Sequence, residues 1–410
     1  MSEPVTVELA EPAVLWSRWG AVGAAFAALG YDDVWWTDAH GAHHDDHGGN
    51  WGRLVLVADG RAVLFGYDHE YSGTVDASPP IDLLAGAPAW LPWPELLRHA
   101  EDDQLGYVYW HEHGSWSRVP YPDGIADGLV PTVGAVLDAG RARRELAEVV
   151  FGWAHHDADG EAERGDVATH ADRLLAAAAD RVVDAGVLAG LLARIRSREV
   201  DLPAGVLAAT RAGLTPGAVT PVVPAAAEVP PRRVRTLSVD QHERLAWAAM
   251  REAREIPRPR PAVTDELEDL VEWARARAPG ADGRSRVIVE ALDGAMRQIS
   301  DDLRPVARAG ESSRDVFALV ERLRAAEADP RHGHWIFLRL ETTPDGFTVE
   351  RRYDSWPDWM GPLDSGPWLS HLRAEMDVRA AAFRPAWSAL LDPEVAYLGP
   401  PESRAGTPTS

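Results

Sequence analysis

Apolar positions first fall into helical register between Leu15 and Leu29, where Leu15, Trp16, Trp19, Val22, Phe26 and Leu29 recur at the spacing of one helix face and Gly30 supplies a stop signal. The rhythm then changes. Leu54 to Val57 and Arg61 to Phe65 are apolar runs around Ala58-Asp59-Gly60, the turn chemistry of a β-hairpin. A second hairpin is expected where Tyr107 to His111 meets Gly114 and Trp116 to Val119 returns, before Pro120 stops further pairing. Between the two, Ala89 to Pro94 reads as loop and the beginning of a short helix.

From Pro131 to Gly213 the chain turns to Ala, Leu, Arg and Glu at a helical period, as in Leu174, Ala178, Arg181, Val182 and Val187. Repeated prolines from Pro216 to Pro231 remove backbone donors and favour extended geometry, which predicts an interdomain linker. Ser238 to Leu323 reads as mostly helical, broken at Ile256 to Pro261 and at Ala278 to Gly283. Last, His334 to Leu340 and Phe347 to Tyr353 flank Pro344-Asp345-Gly346, a hairpin in which Trp335, Phe337 and Arg339 share one face. A helix from Trp368 to Leu391 is expected to cover it.

These patterns predict an α+β protein. An N-terminal aromatic-rich hairpin sheet with its helix spans residues 1–130, a helical middle 131–215, a Pro-rich linker 216–236, and a C-terminal antiparallel hairpin covered by helices 237–400. A disordered tail is expected over residues 401–410.

Composition then excludes several classes of function. The absence of cysteine removes thiolate metal sites, cysteine nucleophiles and disulfide frameworks, and fits a reducing compartment. Met1 to Ala10 is acidic and broken by Pro4, so no export signal is expected and a cytoplasmic location is. The Ala/Leu-rich stretch Leu174 to Leu192 is interrupted by Asp180, Arg181 and Asp184, well short of the roughly 20 apolar residues a membrane span needs. Lys and Arg total 41 against 64 Asp and Glu, a formal charge of −23 that repels phosphate backbones and anionic lipid but welcomes a basic protein. Neither a nucleic-acid nor a membrane partner is expected. GxxxxGK[ST], GxGxxG after a strand, and GxSxG are all missing, so nucleotide and serine-hydrolase chemistry lose their anchors and no catalytic residue is assigned.

Three constellations carry candidate chemistry. Asp38 to Asp46 with His47 is a glycine-containing loop bearing His40, His43, His44 and His47 beside carboxylates, and His111 and His113 would point to one face of a strand. Imidazole and carboxylate together bind zinc or another divalent metal, whereas the bland alternative is a solvated polar loop chosen for turn formation. The second constellation is Tyr67, Asp68, Glu70 and Tyr71 at the exit of the first hairpin, an aromatic and acidic edge. The third is Tyr353, Asp354, Trp356, Asp358 and Trp359 after the last hairpin. Exposed, it would be a protein-binding anchor; buried, it would cap the core.

The string from Gly333 to Trp359, GHWIFLRLETTPDGFTVERRYDSWPDW, with the amphipathic helix after it and Val395 to Gly399, resembles the YezG-type immunity (antitoxin) proteins of bacterial polymorphic toxin systems. The resemblance covers about Val316 to Gly399 and rests on a Trp-led strand, an Asp-Gly turn, a Phe-led strand and Tyr-Asp. It implies a small α+β domain that neutralises a toxin domain by binding, without catalysis or cofactor. The N-terminal aromatic, His-rich segment and the helical stretches depart from that pattern. The reading that results is a non-catalytic, cytoplasmic protein-binding module for a basic toxin partner. The competing reading is a metal-binding protein or metal-dependent hydrolase built on His40, His43, His44, His47, His111 and His113.

Overall fold

The computed structural model describes residues 3–155, 160–278, 283–293, 295–298, 314–361 and 365–398; the tail expected over 401–410 lies outside them. The protein is α+β. Its described chain divides into two compact units, the first ending at Ser238 and the second running from Val239 to Leu398.

The first unit is built on a seven-stranded sheet of β1 (Val5–Val7), β2 (Trp35–Asp38), β3 (Gly41–Asp45), β4 (Trp51–Val57), β5 (Arg61–Tyr67), β6 (Tyr107–Glu112) and β7 (Ser115–Arg118). The order is β1-β7-β6-β5-β4-β3-β2, antiparallel at every step. Both expected hairpins are present. Asp59 and Gly60 take left-handed φ at one turn, and His113 and Gly114 do so at the other.

The central strands read as unbroken apolar runs because both of their faces are covered. Leu54, Ala62, Leu64, Tyr107 and Tyr109 face one core, while Val55, Val57, Val63, Phe65, Val108 and Trp110 face a second. Helix α1 (Pro12–Ala27) lies in the first core, and the second is closed by α2 (Trp93–Glu101) with Leu83, Leu84, Trp90 and Leu91.

The helical stretch after the sheet comprises α3 (Leu129–Leu137), α4 (Ala139–Glu148), α5 (Glu161–Ala179), α6 (Ala185–Leu192) and α7 (Leu202–Arg211). It forms no domain of its own, because Leu146, Leu174, Leu188 and Ala209 join the core of α1 and the sheet. The Trp16 indole N–H donates to the Ala212 carbonyl at 2.8 Å and ties the two stretches together.

The Pro-rich stretch expected to be an interdomain linker is pinned to this unit. Val223 accepts from the Ala58 backbone N–H and donates to the Leu56 carbonyl at the end of β4, and Arg232 grips Asp82 through two guanidinium nitrogens at 2.7 and 2.6 Å. A short strand, β8 (Val234–Arg235), follows it.

In the second unit, β9 (Ser285–Leu292), β10 (Ala295–Gln298), β11 (Phe337–Thr343) and β12 (Gly346–Arg352) form a sheet in the order β10-β9-β11-β12. The hairpin around Asp345-Gly346 is present, with Thr343 opposite Gly346. β9 corrects the helical expectation for this stretch. Its run Val287 to Leu292 is buried on both sides, so no alternation marks it as a strand.

Helices α8 (Val239–Glu252) and α11 (Leu369–Val378) pack on one face, while α9 (Asp265–Ala276) and α10 (Arg314–Ala326) pack on the other. α11 is shorter than the expected helix through Leu391. The backbone of Arg379 is extended, and Pro385 opens a 3-10 turn over Ala386–Leu391.

Candidate functional site

The His-rich stretch is a hairpin, not a loop. Asp38 pairs with Gly41, which leaves Ala39 and His40 as the turn, with the Asp38 carboxylate accepting from the His40 and Gly41 backbone N–H groups at 2.7 and 3.1 Å. Alternation along β3 sends His43 and His44 to opposite faces. His43 stacks on Trp36 and reaches Asp38 at 3.0 Å, whereas His44 stacks on Trp35 with ring centroids 3.9 Å apart.

Burial and the nearby Arg53 lower the pKa of His43 against the pull of Asp38. Burial pushes His44 down to about 4, and its Nδ1–H donates to the Val34 carbonyl at 3.0 Å. Burial works to raise the pKa of Asp38, but the donors from His40, His43 and Gly41 outweigh it and leave it lowered. His47 is exposed and lies 3.2 Å from Asp33.

His111 and His113 do not share a face. Pairing of Glu112 with Ser115 makes His113 a turn residue, while His111 is buried against Trp116 and Gly60. Among the described residues no three His, Asp or Glu side chains come together in a way that could hold a metal ion.

The turn after β5 does bring its residues together. The Asp68 carboxylate accepts from the backbone N–H groups of Glu70 and Tyr71 at 3.0 and 2.8 Å and is itself buried, so it shapes the turn instead of meeting a partner. Tyr67 is half-buried, its hydroxyl pKa raised by burial and by Asp76 and Asp68. Glu70 and Tyr71 stand out into solvent, the Glu70 side chain 64% exposed and Tyr71 as a residue 54% exposed.

Asn50 joins this turn to the His-rich hairpin. Its side-chain oxygen accepts from the His69 backbone at 2.8 Å and lies 3.0 Å from His69 Nδ1, while its amide donates to Asp46 at 2.8 Å. Glu70 and Tyr71 are thereby held beside the end of β3 at Asp45 and the turn that carries Asp46 and His47. Asn50 carried no signal in the sequence that would have singled it out.

The C-terminal constellation is largely a core element, which overturns its reading as a surface anchor. Asp354 is fully buried and Trp356 is 4% exposed, packed in the core with Trp247 and Phe337. Asp354 binds Arg258 and Arg379, and Tyr353 is half-buried beneath the Arg258 guanidinium. Trp359 is half-buried, and Asp358 alone of the five is exposed. The cause is local: Glu255 accepts from the N–H groups of Tyr353, Asp354 and Ser355, which draws the segment inward.

An open groove of about 460 Å³ in the first unit carried no mark in the sequence. It lies between β2 and β3 and helices α3 and α4, lined by Trp35, His44, Asp46, Thr132, Glu145, Glu148 and Trp153 among others. Trp153 reaches it because α4, capped at its start by Asp138, ends in a π-helical turn over Val149–Trp153. Turns of that kind recur at functional sites.

No family profile, curated protein or solved structure matches this chain.

Proposed function

We propose that this chain is a non-catalytic, cytoplasmic protein-binding module of the immunity type, which neutralises a basic toxin partner by occupying its surface. The observation that carries the reading is the rim assembled by Asn50. Exposed Tyr71 and Glu70 stand on one turn, with His47 on the neighbouring turn, Asp45 at the end of β3 and Asp33 close by.

The physical logic is that a solvent-facing tyrosine among carboxylates supplies contact area, while the carboxylates steer a positively charged partner. The chain's charge of −23 acts in the same direction. The likeness of Gly333 to Trp359 to immunity proteins supports the same class. Its buried residues Asp354 and Trp356, however, are assigned to stability and not to the partner.

The test is affinity capture with the whole chain and with a Glu70→Lys/Tyr71→Ala variant, followed by co-expression of the captured protein. A basic partner retained by the parent and lost by the variant, whose toxicity the parent alone relieves, is the expected result. Equal capture and equal protection by the variant would overturn the assignment of this rim.

A further inference from the structure

We propose that the groove between the β2–β3 hairpin and helices α3 and α4 is a binding site for a small organic cation, an alkylguanidinium or alkylammonium group. It borders the exposed rim at Asp46 and is argued from the other lining residues.

The volume, about 460 Å³, falls within the range of small-molecule pockets. Three of its lining residues are aromatic, Trp35, His44 and Trp153, and of the two indoles it is the half-buried Trp153 that is open to a ligand. Trp35 is buried and held against His44, and Trp153 is held edge-on against Phe26 and Tyr31 at ring-centroid distances of 5.0 Å each. Indole faces attract cations through their negative quadrupole.

Charge makes the same selection. Glu145 and Glu148 both line the groove and form no ion pair with any described residue, and burial and Glu148 raise the pKa of Glu145. Glu145 is thus a half-buried carboxylate without a paired cation, and Glu148 stands exposed beside it. Asp46 stands at its mouth, exposed and already accepting from Gly48 and Asn50. Against these stand Arg141, which Asp138 neutralises at 3.0 Å, and Arg144 alone.

His44 contributes an acceptor. Its Nδ1–H is committed to the Val34 carbonyl, so the neutral ring carries its lone pair on Nε2, which has no hydrogen-bond partner among the described residues. An N–H-rich cation meets acceptors and ring faces here. An anion would meet an excess of carboxylates.

The probes are n-butylguanidinium, n-butylammonium and the neutral isostere n-butylurea, titrated into the full chain by calorimetry. A ligand this small is expected to bind with a roughly millimolar Kd. The urea is expected to be about tenfold weaker or worse, and Glu145→Gln/Glu148→Gln to weaken the guanidinium by about tenfold. Arg144→Gln, a surface change that removes a like charge, is expected to tighten it about threefold. This gain cannot come from misfolding. Unchanged thermal unfolding of the Glu→Gln variant guards the loss.

A blocked Gly-Arg-Gly peptide distinguishes the sources. Binding as tight as the free guanidinium assigns the site to an arginine presented by a protein, and a clear preference for the free cation assigns it to a free metabolite. Equal binding of n-butylurea, indifference to Glu145→Gln/Glu148→Gln, or no binding of the guanidinium would overturn the proposal.

Discussion

Arg379 and Asp354 meet at 3.0 Å with both side chains shut off from solvent. Arg379 also donates Nε–H to Glu375 at 3.0 Å and Nη2–H to the His334 carbonyl at 2.7 Å, while Asp354 accepts from Arg258 and from the Ile256 backbone. Burial lowers the pKa of Arg379 and works to raise that of Glu375. In Glu375 the His334 and arginine donors prevail and leave it lowered. Buried charges persist only when paired and hydrogen-bonded in this way.

Removing one member strands the others. Arg379→Met is expected to cost about 3–5 kcal/mol, because Asp354 and Glu375 each lose a buried donor. Asp354→Asn should cost a comparable amount, and the two together less than their sum. Urea unfolding followed by tryptophan fluorescence checks this; a loss under about 1 kcal/mol for Arg379→Met would mean the network contributes little.

Gly52 and Gly66 face each other across β4 and β5, and the Tyr107 hydroxyl sits over both. A Cβ on Gly66 would fall 2.4 Å from the Trp51 carbonyl oxygen and 2.4 Å from the Tyr107 hydroxyl oxygen. Gly66→Ala is therefore expected to destabilise the first unit by about 2 kcal/mol or more, within the usual cost of overpacking. Gly346→Ala, where nothing lies within 4 Å, should stay within about 0.5 kcal/mol. Thermal unfolding of the pair separates packing from chain entropy.

Acid should weaken the first unit before its carboxylates titrate. His44 and His99 are each pushed down to about 4, by burial first, and at His99 next by Arg98, which donates to its Nε2 at 2.8 Å. The unfolded chain takes up these protons near pH 6.5, so stability is complete above that value and falls as the pH drops toward 4. Each ring should cost on the order of 2 kcal/mol at pH 5. His99→Gln should flatten the stability profile between pH 7 and 5, and an unaltered slope would rule out its part in the effect.

Substitutions on the exposed rim should leave folding untouched. Glu70→Lys and Tyr71→Ala alter side chains that stand in solvent, so each is expected to shift stability by no more than about 0.5 kcal/mol. Asp68→Ala, two residues away, should cost about 1–2 kcal/mol, because its carboxylate holds the Glu70 and Tyr71 N–H groups. Denaturation of the three variants side by side checks both claims.

Local chemistry made part of this legible. Turn pairs such as Asp59-Gly60 and Asp345-Gly346, the stop at Gly30 and the helical period after Pro131 each depend on a few neighbouring residues, and each marks an element that is present. The long-range pairings were not legible. β9 carried no period because both of its faces are covered, and the helices after Leu129 had no sequence mark assigning them to the face of α1.

The candidate sites divide in the same way. Composition alone argued for an acidic chain without thiol chemistry, since charge and residue type are sums over the sequence. Whether Asp354 and Trp356 face water or the core depended on Glu255, Arg258 and Arg379, each from another part of the chain. Likewise Trp35, Glu145 and Trp153 line one groove only because a hairpin, a helix and a π-helical turn from separate stretches converge. Side-chain exposure and proximity are properties of the packed fold, and tertiary structure alone decides them.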